Sequence, residues 1–212
     1  MILELFGSPG AGKTYIINQI HPGAIKEEKS KSDHLADPIK KGIKACISLT
    51  PYAARIRRTI RKCLEECEIA PPKYKPVTIN DFIWNISMLG SVYKLSKGNV
   101  YMDEGVVHRV ISMCINYEIN KERCCKIIES LSYVIKDVKV IFLNVSKDDC
   151  LKSIIKRDRH KHSIDELEGE ILNTFLSSYE EYCYCVSDTF KFEQINRDII
   201  LDFDFSSCGR NM

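Results

Sequence analysis

The chain lacks the features that mark most membrane, secreted and nucleic-acid-binding proteins. None of its apolar stretches approaches the roughly 20 residues that a membrane span needs, and no basic region precedes the apolar N-terminus, as it would in a signal peptide. The formal net charge is only +2 over 212 residues, which does not predict a nucleic-acid partner. We therefore expect a cytoplasmic protein without membrane association.

The chain also has no C-x-x-C pair, no internal repeat and no low-complexity linker. Its ten cysteines would indicate a disulfide framework in an extracellular protein, but free thiols are expected in the cytosol. Most of them fall within helical patterns, where cysteine packs as a small apolar side chain; a metal or redox role is the alternative. The length and the missing linker predict one domain over residues 1–212.

The most informative segment that is present matches G-x-x-x-x-G-K-[ST], the phosphate-binding (Walker A) loop. The loop consists of Gly7, Ser8, Pro9, Gly10, Ala11, Gly12, Lys13 and Thr14. An apolar run at 1–6 predicts a strand before it, and residues 15–20 can continue a helix after it. Backbone N–H groups and the helix N-terminus would bind phosphates, Lys13 would reach the β- and γ-phosphates, and the Thr14 hydroxyl would hold Mg²⁺. We predict that the chain binds a nucleoside triphosphate.

Strand and helix patterns alternate along the rest of the chain. Strands are predicted at 100–102, 138–145 and about 190–195. Helices are predicted at 51–69, from 79, at 106–117, at 121–135, from 146 and from 163. The first two of these helices begin after Thr50 and after a capping-box-like Thr78. This alternation predicts an α/β fold with a parallel sheet covered on both faces and ligands at the C-terminal strand ends.

Two carboxylates, Asp103 and Glu104, directly follow the strand at 100–102. One can hold Mg²⁺ while the other takes the proton of an acceptor hydroxyl; the alternative is a surface pair that stabilises a helix N-terminus. We assign the metal or base role to Asp103 and consider Glu104 and Arg109 as acceptor-binding candidates. For Arg109 the alternative is a salt bridge. A lone histidine such as His108 is more typical of a structural residue.

A basic stripe and several aromatic residues are further candidates for the acceptor site. The stripe lies at helical spacing and comprises Arg55, Arg58, Arg61 and Lys62. It could hold an anionic acceptor, with Arg58 as our candidate, or it could be a solvated helix face. Phe82 and Trp84 could stack on a base, but their spacing with Ile86 and Leu89 favours the core. Tyr179 and Tyr182 leave the same two alternatives open.

With these residues in place, the chain resembles the nucleotide- and nucleoside-kinase branch of the P-loop proteins, akin to thymidylate and adenylate kinases. The phosphate loop and Asp103 after an inner strand carry part of the resemblance. The remainder is the strand at 138–145 and the following helix, which ends in Arg157-Asp158-Arg159, where such kinases have an arginine-bearing lid. Glu104 departs from the pattern, because kinases of thymidylate type usually have an arginine there. Ser153 is a second departure, since many members have an arginine four residues before the lid arginine.

The resemblance implies a P-loop NTPase three-layer fold with a parallel central sheet, a helical insertion at about 38–95 and a short lid at about 156–164. It implies catalytic roles for Lys13, Asp103, Arg157 and Arg159; for the two lid arginines the alternative is a solvated basic turn between helices. It also implies Mg²⁺ as cofactor, held by Thr14 and Asp103, and ATP as substrate.

We therefore predict a cytoplasmic, Mg²⁺-dependent P-loop kinase that transfers the γ-phosphoryl group of ATP to a small acceptor. A nucleotide or nucleoside is the first candidate acceptor, and a sugar or other hydroxyl metabolite is the alternative. The rival function is a P-loop ATPase or GTPase that serves as a regulatory or interaction module and hydrolyses slowly. The predicted partners are a nucleoside triphosphate and a small-molecule acceptor, and a homodimer is compatible with the sequence.

Overall fold

A computed structural model describes residues 1–20, 46–47, 49–65, 67–157 and 166–196, with Arg157 described by its backbone alone. The strands in these ranges are β1 (Ile2–Phe6), β2 (Val100–Met102), β3 (Val138–Asn144) and β4 (Glu193–Asn196). The helices are α1 (Lys13–Ile20), α2 (Pro51–Leu64), α3 (Ile79–Leu95), α4 (Val106–Asn116), α5 (Lys121–Ser130), α6 (Ser132–Ile135), α7 (Lys147–Arg157) and α8 (Gly169–Phe190). None of the described helices has the length and apolar character needed to cross a membrane.

The four strands form one parallel sheet in the order β2-β1-β3-β4. In β1, four consecutive residues, Leu3 to Phe6, are almost fully buried. Because successive side chains of a strand point to opposite faces, this burial means that both faces of the sheet are covered along β1. The predicted α/β class with a parallel central sheet is confirmed. Its parallel strands place the loops after β1, β2 and β3 at one edge of the sheet.

The helix starts predicted after Thr50 and Thr78 are confirmed, whereas the helix predicted from 163 begins only at Gly169. The Thr50 side chain accepts a hydrogen bond from the backbone N–H of Ala53, and Pro51 is the first residue of α2. Thr78 and Asp81 form a reciprocal capping box at the start of α3. These signals are local, because a hydroxyl or carboxylate satisfies N–H groups within the same turn, and the start of each helix can therefore be predicted from a few residues.

Some predicted boundaries differ from those of the structure. The helix predicted at 51–69 ends at Leu64, which is also the last residue of its buried stripe. The helix predicted at 121–135 is divided at Leu131 into α5 and α6. The strand predicted from 190 begins only at Glu193, since α8 continues to Phe190 and ends with Lys191 in the left-handed conformation.

The prediction that Trp84 belongs to the core is wrong. Its side chain is 41% exposed, while Phe82 and Ile86 are buried. A residue two positions from each of them lies on the opposite side of the helix. There the Arg57 guanidinium lies 4.9 Å from the Trp84 ring centroid, so the exposed ring has a cationic neighbour.

The cysteines largely follow the packing prediction. Cys114, Cys124, Cys150 and Cys183 are buried in the hydrophobic core. Cys46 is exposed, and four more are half-buried. Cys125 on α5 and Cys185 on α8 approach each other, with 3.8 Å between their Sγ atoms.

Candidate active site

The phosphate loop leaves β1 after Phe6 and closes on the first residue of α1, Lys13. Inside it, the backbone N–H of Ala11 donates to the Ser8 carbonyl at 3.2 Å. Gly10 adopts φ +87°, and a Cβ there would lie 2.5 Å from the Cys150 carbonyl oxygen on α7. The motif therefore forms the strand–turn–helix cradle that the sequence predicted, and its backbone packs directly against α7.

Replacing Gly10 with alanine should destabilise the fold by about 1–3 kcal/mol, because the new Cβ meets a backbone carbonyl and the backbone has positive φ. Gly98→Ala is the matched control, since nothing lies within 4 Å of a Cβ there; it should change stability by less than about 0.5 kcal/mol. Denaturant unfolding of both variants tests this. Equal stabilities would contradict the tight packing of the loop.

Lys13 is buried and folds back over the loop that precedes it. Its Nζ donates to the carbonyl oxygens of Gly7 at 2.8 Å and Ser8 at 3.0 Å. Burial lowers the pKa of Lys13, and the nearby carboxylates of Glu104 and Asp103 are among the groups that raise it again. The ammonium group of Lys13 is thus held against the phosphate loop, with the carboxylates of Asp103 and Glu104 nearby.

Thr14 and Asp103 meet across two elements that are distant in sequence. The Thr14 hydroxyl donates to Asp103 Oδ2 at 2.5 Å. This contact follows from the sheet, because β2 pairs with β1 in parallel register, Glu4 opposite Met102, so that the residue after β2 lies beside the phosphate loop. The two side chains offer hard oxygen donors, which suit Mg²⁺. A magnesium ion that also binds phosphates needs only one or two such protein ligands.

Glu104 points to a different partner. It forms a salt bridge with Arg109 in the first turn of α4, and both side chains are partly exposed. The structure thus separates the two adjacent carboxylates, with Asp103 at Thr14 and Glu104 at Arg109. The salt bridge that was the alternative role for Arg109 is present.

His108 lies on α4, is buried, and belongs to a cluster of polar side chains between α4 and α8. Its Nε2 lies 3.3 Å from the Tyr179 hydroxyl, which also pairs with Ser112. Nδ1 of His108 is buried and has no hydrogen-bond partner among the described residues. Burial, followed by the positive charge of Lys13, holds the pKa of His108 well below its usual value, so the ring is neutral.

Glu4 is the residue of this region that sequence reasoning missed. It lies in the middle of β1, fully buried, and its carboxylate accepts hydrogen bonds from the Tyr93 hydroxyl and the backbone N–H of His108, each at 2.9 Å. The available signal was a single carboxylate within an apolar strand, because a buried charge requires partners. Burial raises the pKa of Glu4 to about 7, although these hydrogen bonds act in the opposite direction.

The raised pKa of Glu4 predicts a specific pH dependence of stability. Its usual value is 4.5, so the folded protein binds the Glu4 proton more tightly than the unfolded chain does. The resulting stabilisation is complete below about 4.5 and is lost as the pH rises through about 7. We compare the free energy of unfolding of the wild type with that of Glu4→Gln. The wild-type value minus the variant value should fall by about 3 kcal/mol as the pH rises from 4.5 to 8.

Denaturant unfolding of both proteins at several pH values between 4.5 and 8 measures this difference. The titration of His108 occurs in both proteins and cancels in the subtraction. A difference that stays constant with pH would show that Glu4 ionises as an ordinary carboxyl group.

The remaining candidates lie outside this cluster or outside the described side chains. Arg58 is exposed on α2, which packs against α3 and α5. In the same stripe, Arg55 lies over the Tyr133 ring at 4.3 Å and Arg61 donates to Asn80. Arg157 is the last residue of α7, with its side chain outside the description, and Arg159 lies outside the described residues with most of the predicted lid.

Comparison with solved structures finds a similarity to a deoxyadenosine kinase from M. mycoides, whose structure has bound dATP. The two chains are 20% identical with a TM-score of 0.46, and the match covers 98% of this chain and 94% of that chain. No protein-family model and no curated protein matches the chain. At this distance the similarity does not identify a family, and the function has to be inferred from the site.

Proposed function

We propose that this chain is an ATP- and Mg²⁺-dependent phosphotransferase that moves the γ-phosphoryl group to a small acceptor, with a nucleotide or nucleoside as the first candidate. The observation that carries the proposal is the contact of the Thr14 hydroxyl at the phosphate loop with Asp103 after β2. It combines an anion cradle with a pair of magnesium-type oxygen ligands. The proposal treats the chain as one kinase domain with the insertion at about 38–95.

Each residue of the site has a distinct role in this proposal. The loop amides and Lys13 bind the phosphates and place positive charge where the transferring group becomes more negative. Thr14 and Asp103 would hold Mg²⁺, which supplies further charge neutralisation when bound. Arg157 and Arg159 would add cations from the lid. Positioning and electrostatics account for most catalysis of phosphoryl transfer, so this set needs no covalent nucleophile.

Glu104 and Arg109 are proposed to face the acceptor. Both belong to the first turn of α4 or the residues before it, next to Asp103, and both remain partly exposed. In this proposal the Glu104 carboxylate accepts a hydrogen bond or proton from the acceptor hydroxyl, and Arg109 binds an acceptor anion after exchanging its partner. Arg58 is a further candidate for an anionic acceptor.

An acceptor screen with labelled ATP tests this function. Nucleosides, nucleoside monophosphates and sugars are supplied separately with Mg²⁺, and label on the acceptor is measured against label released as phosphate. Transfer that depends on the acceptor and disappears in Lys13→Ala is the expected result. Slow release to water with every acceptor would favour the regulatory hydrolase instead. Absence of ATP and GTP binding by calorimetry with Mg²⁺ would overturn the phosphate-loop assignment itself.

A further inference from the structure

Glu4 occupies an unusual place for a charged residue, since it lies on a central strand of a parallel sheet. It is paired in register with Met102 of β2 on one side and Val140 of β3 on the other, and none of its surface is exposed. A carboxylate removed from water in this way is tolerated only where hydrogen bonds replace its hydration. The partners of Glu4 therefore indicate what it does in the fold.

Those partners belong to the start of α4. The residue before α4 is Gly105, which has no side chain with which to cap the helix. Glu4 Oε1 accepts the backbone N–H of His108, the third residue of the helix, and so supplies the missing cap from another element. A carboxylate also interacts favourably with the positive end of the helix dipole.

Tyr93 on α3 completes this contact. Its hydroxyl donates to Glu4 Oε2 at 2.9 Å and accepts the backbone N–H of Val106 at 3.2 Å. Gly105 is pressed against the pair, because a Cβ there would lie 2.2 Å from the Tyr93 oxygen and 2.3 Å from Glu4 Cδ. Two separate elements, β1 and α3, thus fix the backbone at Gly105 and the residues that follow it.

The segment held in this way is the one that carries Asp103. Only Glu104 separates Asp103 from Gly105, and on the other side Met102 is paired with Glu4 in the sheet. The short stretch 103–105 is therefore attached to β1 at both ends. The Asp103 carboxylate in this stretch accepts a hydrogen bond from the Thr14 hydroxyl. Thr14 is the last residue of the phosphate loop, which follows β1.

We propose that Glu4 is a positioning residue that, through the capped start of α4, holds Asp103 at the distance from Thr14 that a shared Mg²⁺ requires. Glu4 acts through Asp103 and does not itself touch nucleotide or metal. This inference rests on the proposed function, because it assigns Asp103 and Thr14 to the metal. Residues that orient a metal ligand commonly change metal affinity or activity by about 10- to 100-fold when replaced.

The test compares Glu4→Leu, which removes the cap, with Glu4→Gln, which keeps an acceptor oxygen. Glu181→Gln is the control, since it changes an exposed carboxylate of α8 that is paired with Lys121. ATP binding is measured by calorimetry with Mg²⁺ and with a chelator, and kcat and KM are measured where turnover is found. In Glu4→Leu the Mg²⁺ concentration for half-maximal effect should rise about tenfold. ATP affinity without metal should stay within about twofold of the wild type, and Glu4→Gln should restore most of the loss.

Amide hydrogen exchange of the ligand-free proteins provides a second readout that does not depend on nucleotide. Exchange at 103–108 should be faster in Glu4→Leu than in the wild type and unchanged in Glu181→Gln. If Glu4→Leu does not fold, Tyr93→Phe, which removes one donor to Glu4, takes its place in both measurements.

Three results decide between the possibilities. Unchanged exchange at 103–108 would overturn the inference, and so would an equal loss of ATP affinity with and without Mg²⁺. If the wild type shows no effect of Mg²⁺ on ATP binding, the proposed function fails, and with it the metal part of the inference. Faster exchange in the variant would then still establish that Glu4 holds this segment.

Discussion

Lys13→Ala is expected to lower the rate of phosphoryl transfer by a factor of about 1000, because it removes a buried cation from the place where phosphate charge develops. Nζ of Lys13 is held 2.8 Å from the Gly7 carbonyl, so the side chain is already positioned at the cradle. Little rearrangement is needed for it to reach a phosphate, and alanine offers no substitute. Single-turnover transfer from labelled ATP measures the loss.

The control for this prediction separates charge from folding. Lys97→Ala removes an exposed lysine from the turn after α3 and should leave the rate unchanged. Lys13→Met retains most of the apolar stem, so it should fold like the wild type and be as inactive as the alanine variant. Circular dichroism and thermal unfolding establish that both variants are folded. Unchanged turnover in either Lys13 variant would refute the assignment of the phosphate loop.

Asp103→Asn is expected to reduce Mg²⁺-dependent activity by about 100-fold, because a bound metal supplies several kcal/mol of charge stabilisation, while ATP binding without metal should change only slightly. The amide oxygen of the asparagine can still accept a hydrogen bond from the Thr14 hydroxyl. The asparagine lacks the negative charge that attracts a divalent cation. The measurement compares kcat over a range of Mg²⁺ concentrations with calorimetric ATP binding in a chelator. The variant should need much more Mg²⁺ for half-maximal rate.

Asp137→Asn is the matched control for Asp103, since it neutralises an exposed aspartate whose neighbour is Lys136. Its Mg²⁺ dependence should equal that of the wild type. If Asp103→Asn loses metal-free and metal-dependent ATP binding to the same extent, the role of Asp103 is structural. In that case the contact with Thr14 would serve to close the phosphate loop rather than to hold a cation.

The parts of the fold that sequence predicted well depend on short-range chemistry. The phosphate loop combines glycine, lysine and threonine in a fixed order, and the Thr78 and Asp81 capping box satisfies N–H groups within one turn. The strand at Val138–Asn144 was visible from its apolar run alone. Such elements can be predicted because each signal and its effect lie within a few residues.

Prediction failed where the environment of a residue depends on neighbours that are distant in sequence. Trp84 has apolar residues around it in the sequence, but the helix turns it outward, where Arg57 lies over its ring. Asp103 is different, because the resemblance already paired it with Thr14, and the structure places Asp103 rather than its neighbour Glu104 at the Thr14 hydroxyl. Glu4 lies within an apolar run, and its hydrogen-bond partners are on α3 and α4. The residues next to it in the sequence therefore do not reveal its role.

The sequence by itself determined the cradle, the helix caps and the alternation that builds a parallel sheet, because local hydrogen bonding and apolar periodicity specify them. Only the tertiary structure brought the Asp103 carboxylate to the Thr14 hydroxyl and determined which strand residue caps α4. Those pairings join residues that are 89 and 104 positions apart. They exist because parallel pairing of β1 with β2 brings the ends of both strands to one edge of the sheet, a consequence of packing that no short segment contains.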